Sequence, residues 1–246
     1  MALIDAMCSD APEGVIVDVA VGPAWICVEV ETGGERHCGL APALPASSHD
    51  GELPPAGTRS AEVLAHAGSQ TRPRLSSVAV ATLNALLPTP GAGFEQNGEE
   101  LIADIGTGLK VAMVGHFPFV ERLRRRVGRL SVIERAPRPG DYPEAAAGSI
   151  IPAADVVAIT AMTLVNGSFD GVLSLCRPEA RVILLGPSTP LSPRLFAAGV
   201  DILAGAVVAD RRGVQAAIPG ARSFRQLKHA GVRLVTIERP ASPTER

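Results

Sequence analysis

From Gly14 to Ala41, apolar and polar residues alternate with a period of two: GVIVDVAV, a Gly22-Pro23 break, AWICVEVE, a Gly33-Gly34 break, then ERHCGLA. That alternation buries one side of each segment, and the breaks have hairpin chemistry. It predicts a meander of two or three antiparallel strands. The period then changes. One helix is expected from Ser60 (SAEVLAHAGS). Another is expected from Leu75 (LSSVAVATLNALL), apolar at Val78, Ala79, Leu83 and Leu86 with near-helical spacing. Strands followed by helices make an α+β unit, expected over residues 1–90. Residues 41–59 interrupt it with prolines at 42, 45, 54 and 55. That is long for a structureless connection, and such loops tend to be functional or mobile.

The segment PTPGAGFEQNG (88–98) reads as a hinge-like linker, followed by a short helix, GEELIADIG. From Lys110 apolar runs alternate with helical ones. Strands are expected at KVAMVG (110–115), SVIER (131–135), DVVAIT (155–160), RVILLG (181–186), DILAGAVV (201–208) and VRLVTIE (232–238). Helices are expected at PFVERLRRR (118–126), from Leu164 to Cys176, at Leu195–Ala198, and in ADRRGVQAAI and SFRQLKH. This pattern predicts a second unit over 105–246: a Rossmann-like α/β domain with a mostly parallel sheet and helices on both faces. Right-handed crossovers would put the strands' C-terminal ends on one edge, where open α/β sheets bind ligands.

Composition narrows this only a little. With 246 residues, 46% of them hydrophobic, the chain can bury a core and is not of the disordered class. Its formal net charge of −2 gives no electrostatic reason for a nucleic-acid partner. The basic run Arg122–Arg126 lacks interleaved aromatics and fits a solvated helix face. The four cysteines form no C-x-x-C pair. No apolar run reaches the roughly 18 residues of a membrane span, and the start lacks the marks of a signal peptide, so a cytoplasmic location without membrane partners is expected.

Polar residues and glycines gather at the strand exits. Gly115 and His116 follow the first strand of the second unit, within G-H-F-P. Gly115 permits a tight turn, and Pro118 would preset a helix start whose amides favour an anion. The G-x-G-x-x-G fingerprint is missing, and Phe117 adds bulk where a pyrophosphate needs room, against an NAD or FAD site. His116 is the candidate acid/base or ligand contact; the plain alternative is a loop-capping histidine. Glu134, 19 residues after Gly115, is either a ribose-binding acid or a carboxylate paired with Arg135 or Arg138. At the third exit, Thr160 and Thr163 bracket a turn, with Thr163 a candidate N-cap. Asn166 could offer a donor and an acceptor, and Gly167 within the helix suggests close approach by a backbone or ligand. At the fourth exit, Gly186, Ser188 and Thr189 lie in a proline-stiffened turn that lacks a nucleophile elbow. His37 and Cys38 point to opposite strand faces and would not share an ion. Asn84, near the end of the last helix of the first unit, could face the second.

The runs VAMVGHFPFVERL, VIERAPRPGDYP, ADVVAITAMTLVNGSFDGVL and VILLGPSTPLSPRLFAAGVDILAG closely resemble the Rossmann-like domain of the family described as "putative heavy-metal chelation". The stretches VDVAVGPAWICVEV and SVAVATLNALL are similar to its companion domain, which has an enolase N-terminal-like α+β fold. The resemblance implies a cleft between the two units. It would be lined by Gly115, His116, Phe117, Pro118, Glu134, Thr160, Thr163, Asn166, Gly167, Gly186, Ser188 and Thr189, with Asn84 joining from the first unit. It further implies condensation or hydrolysis of pterin-, flavin- or siderophore-like chelators. The Pro-rich loop 41–59 matches no family motif.

Three functions stand as expectations. The first is an enzyme on a heterocyclic or chelator-type metabolite, with His116 as acid/base. The second is a non-catalytic carrier or sensor of a metal-chelate. The third is a nucleotide-dependent enzyme such as a methyltransferase. A heavy-metal ion or metal-chelate is the candidate cofactor, a small molecule the partner, and a homodimer the default assembly.

Overall fold

A computed structural model of the chain describes residues 1–88 and 93–240. Its first unit opens with helix α1 (Leu3–Asp10), which the sequence reading missed. Strands β1 (Val15–Val21), β2 (Trp25–Thr32) and β3 (Glu35–Pro42) form the expected antiparallel meander. Helices α2 (Ser60–Leu64) and α3 (Pro73–Leu86) follow. α3 starts two residues earlier than its apolar pattern, with Pro73 in the first turn, where its missing N–H costs nothing. Almost every α3 residue is buried, because the helix lies between the small sheet and the second unit. Its interior hydroxyls are satisfied: Ser76 donates to the Val165 carbonyl at 2.6 Å and Thr82 to the Val78 carbonyl at 2.9 Å.

The second unit runs α4 (Gly98–Gly106), β4 (Lys110–Val114), α5 (Val120–Leu123), β5 (Arg129–Glu134), β6 (Tyr142–Pro143), α6 (Ala147–Ile150), β7 (Val156–Thr160), α7 (Met162–Val165) and α8 (Phe169–Leu173). It ends with β8 (Arg181–Leu185), α9 (Pro193–Ala197), β9 (Ile202–Val208), α10 (Arg211–Ala217), α11 (Phe224–His229) and β10 (Val232–Glu238). Its seven strands lie in the order β10-β9-β8-β7-β4-β5-β6. All neighbours are parallel except β10, which runs antiparallel to β9 and ends at the opposite edge. Strand alternation divides two cores. Val111, Met113 and Ala158 pack on one face with α4 and α5. Ala112, Val157 and Ile159 pack on the other, in one cluster with Ile4, Met7, Val78 and Leu83 of the first unit.

Several predicted helices are shorter than expected: SAEVLAHAGS is helical only over Ser60–Leu64. The run 118–126 is regular only over Val120–Leu123, with Pro118 lying before it. A single turn has little dipole, so the expected anion site at this helix start falls away. The predicted helix 164–176 is broken in two. Gly167 takes φ +72°, a left-handed conformation that no α-helix continues through. Asn166 Oδ1 accepts from both the amide and the hydroxyl of Ser168, closing a local turn.

Candidate functional site

In this strand order, β5 and β6 lie on one side of β4, while β7, β8 and β9 lie on the other. The chain reverses direction across the sheet between β4 and β7, and crevices form at such a point. A cleft of ≈ 590 Å³ opens there, walled by the exits of β4, β5 and β7 and by Leu44, Gln70 and Pro73 of the first unit. Gly115, His116, Phe117, Glu134, Thr160, Thr163 and Asn166 all line it. Gly115 has φ +99°, and a Cβ there would lie 2.9 Å from Thr160 Cγ2. Its role is thus to let two strand exits touch.

The Gly115-His116 turn is held by Glu134. One carboxylate oxygen accepts the His116 amide at 2.9 Å and the other the Arg135 amide at 2.7 Å. Both oxygens therefore brace backbone, which weakens the ribose reading of Glu134. The Arg135 guanidinium pairs with Glu144 at 3.1 Å at the rim. Phe117, which lines the cleft, stacks on Phe119 with centroids 5.3 Å apart.

His116 is the chemical centre of the cleft. Its Nδ1 lies 2.8 Å from Asp141 Oδ2, and the Asp141 side chain is wholly enclosed. Asp141 also accepts the Arg138 amide at 3.1 Å, and Arg124 lies 3.5 Å from its second oxygen. A carboxylate so placed is an acceptor, so a proton is assigned to Nδ1; in the neutral imidazole Nε2 then carries the lone pair. That is the arrangement of an oriented base. The sequence reading missed Asp141. Only the turn at Gly140, with φ +91°, and the short strand after it bring Asp141 back to His116.

Thr163 is not an N-cap. It sits inside α7, and its hydroxyl donates to the Thr160 carbonyl at 2.7 Å. Gly167 meets a backbone rather than a ligand: a Cβ there would lie 2.5 Å from the Gly68 carbonyl oxygen. Six residues expected to line the cleft lie outside it, Pro118 and Gly167 among them. Gly186 and Ser188 do not line it, and Asn84 and Thr189 line a separate cavity beyond β8. The basic run is largely neutralised: Arg122 pairs with Glu99, Arg124 with Glu121 and Asp141, and Arg126 with Asp104.

A family model described as "Putative heavy-metal chelation" matches residues 99–236, and a second with the same description matches residues 4–87. The chain belongs to this family. A solved structure of a family member of unknown function from Desulfitobacterium hafniense is 27% identical, with 96% of this chain and 98% of that one covered and a TM-score of 0.82. Another, from Pyrococcus horikoshii, is 22% identical over the same shares, with a TM-score of 0.81. No curated protein matches the chain.

The family description raises the question of a metal. Among the described residues no group of three or more His, Cys, Asp or Glu side chains converges on a point. A bare ion therefore finds no protein-only cage here. Among the same residues no helix is long and apolar enough to cross a membrane.

Proposed function

We propose that the chain binds a small chelator-type metabolite, pterin-, flavin- or siderophore-like, in the His116 cleft and promotes its condensation or hydrolysis, with His116 as the acid/base. The observation that carries this is the 2.8 Å contact between His116 Nδ1 and the enclosed Asp141, in a side chain that lines the ≈ 590 Å³ cleft. The pair fixes the imidazole's orientation and tautomer and leaves Nε2 for substrate. The Phe117 ring in the cleft suits an aromatic ligand, and the Asn166 amide nitrogen remains a donor in the same cleft.

Native mass spectrometry of gently purified protein, with elemental analysis of the same sample, would identify any retained adduct. Turnover of a pterin, a flavin and a catechol amide would then be followed by mass spectrometry. His116→Ala should lower conversion by about 10²–10⁴-fold, and Asp141→Asn by about tenfold or more, with the fold intact. Unchanged turnover in His116→Ala would remove it from the chemistry.

A second reading, a non-catalytic carrier of a metal-chelate, is favoured by the same pair, since metal-bound histidines are commonly held by a carboxylate on the other nitrogen. The chelator would then supply most of the donors. An adduct that contains metal and stays chemically unchanged over hours would select it.

A further inference from the structure

The basic run Arg122–Arg126 reads from sequence as a solvated helix face, and Arg122, Arg125 and Arg126 are exposed there. Arg124 is different. Its side chain is 27% exposed and folds back against the sheet. Nη1 of its guanidinium donates to the Leu130 carbonyl of β5 at 3.2 Å. Nη2 donates to the Gly140 carbonyl, in the turn before β6, at 3.1 Å and lies 3.5 Å from Asp141 Oδ1. A planar fork that always carries its charge can hold two carbonyls and a carboxylate at once. The remaining contact, from Nε to Glu121 at 3.3 Å, is to a side chain 72% exposed, where water screens it.

The Asp141 side chain is wholly enclosed, and an enclosed carboxylate needs a countercharge and partners for both oxygens. Oδ2 accepts from His116 Nδ1 at 2.8 Å and from the Arg138 amide at 3.1 Å. Oδ1 has Arg124 alone among the described residues. Arg124 therefore supplies both the permanent cation and the second partner. His116 is left with one task toward Asp141, to donate from Nδ1. Without Arg124, Oδ1 would be enclosed and unpaired, and the Gly140 turn that delivers Asp141 would lose its tie to β5. A carboxylate in that position rotates or shifts to find a donor, and His116 loses its fixed acceptor.

We infer that Arg124 is the positioning residue of the His116 cleft. Acting through Asp141, it holds the imidazole as the Nδ1–H tautomer with the lone pair on Nε2. The inference rests on the reading of His116 as the working group of the cleft. It holds for both forms of that reading, since an acid/base and a ligand to a metal-chelate each need that lone pair.

The test is long-range proton–nitrogen NMR of the imidazoles at about pH 8.5, two units above the ordinary histidine value. The nitrogen shifts separate the two neutral tautomers, and no ligand is required. The signals of the five histidines are assigned by substitution. His116 in the parent should show the Nδ1–H pattern. Arg124→Gln should lose it, because an imidazole without an acceptor at Nδ1 has no reason to keep its proton there. His229 is the internal reference. Its Nδ1 lies 2.8 Å from the Arg225 carbonyl in α11, which can only accept. The His229 pattern should survive in Arg124→Gln, and Arg125→Gln, one residue along on the exposed face, should leave both patterns unchanged. Retention of the His116 pattern in Arg124→Gln would overturn the inference and leave the reading of His116 standing. Loss of both patterns would also overturn it, by placing Arg124 in the fold at large. A parent without the Nδ1–H pattern would remove the inference together with the oriented-base reading.

Discussion

Gly167 and Gly68 face each other across the two units, both with left-handed backbone, at φ +72° and +70°. Gly167→Ala adds the strain of a non-glycine residue in that region and a Cβ 2.5 Å from the Gly68 carbonyl oxygen. The expected loss of stability is about 2–4 kcal/mol, read from the midpoint of urea unfolding. An unchanged midpoint would mean that the contact yields freely. The sequence could flag Gly167 as misplaced in a helix; it could not say whether a ligand or a backbone filled the space. The same limit explains the rest of the site. His116, Glu134 and Thr160 are legible because each ends or closely follows a strand, and strand ends are readable from periodicity. Asp141 was not, since nothing local marks an acid whose partner lies 25 residues away. Asn84 is legible as a residue on the last helix of the first unit that could face the second, and Thr189 as a polar residue at a strand exit, but which side of β8 they occupy depends on how the two units pack.

Among the elements, α3 carries the most. Its N-cap residue, Arg72, offers no capping side chain. The Pro-rich loop does so instead. Asp50 accepts the Leu75 amide at 2.8 Å and the Ser47 amide at 2.6 Å, which ties residues 41–59 to the helix start. Burial pushes the Asp50 carboxyl up, but the backbone amides of Leu75, Ser47 and Arg74 together outweigh it and hold it below the usual carboxylate value. A group whose folded pKa is depressed stabilises fully above its unfolded pKa, about 3.9, and loses that contribution as pH falls through the folded value. Asp50→Asn should therefore cost about 1 kcal/mol near neutrality, with the gap to the parent closing in acid. Denaturation at a series of pH values would show it, and a gap that widens in acid would contradict it. The loop's proline content suggested function or mobility. Its capping role depends on a contact to a helix 25 residues on, which composition does not encode. The strands, by contrast, were nearly all legible, because alternation and apolar runs follow directly from burial on one face or two. The short helices α5, α7 and α8 were overextended, since helical spacing continues through residues whose backbone turns away.

At the scale of the whole molecule, the two units share a core. Val157, Ile159 and Leu184 of the second pack in one cluster with Ile4, Met7 and Val78 of the first. A fragment of residues 99–240 would expose that face to water. It should bind hydrophobic dyes and lack a cooperative thermal transition, in contrast to the full chain. A sharp calorimetric transition for the fragment would show that the second unit is self-sufficient. The connecting segment bears on this too. Residues 89–92 of the expected linker 88–98 lie outside the described residues, but Phe94 pairs with Thr236 of β10 through backbone bonds of 3.1 and 2.9 Å. β10 is the outermost strand of the large sheet. An uncovered strand of this kind is a template on which another chain can add, the first step toward aggregation. By occupying the Thr236 amide and carbonyl, Phe94 closes that one position of the β10 edge to other molecules. Breaking the Phe94 pairing would return the Thr236 amide and carbonyl to that open template.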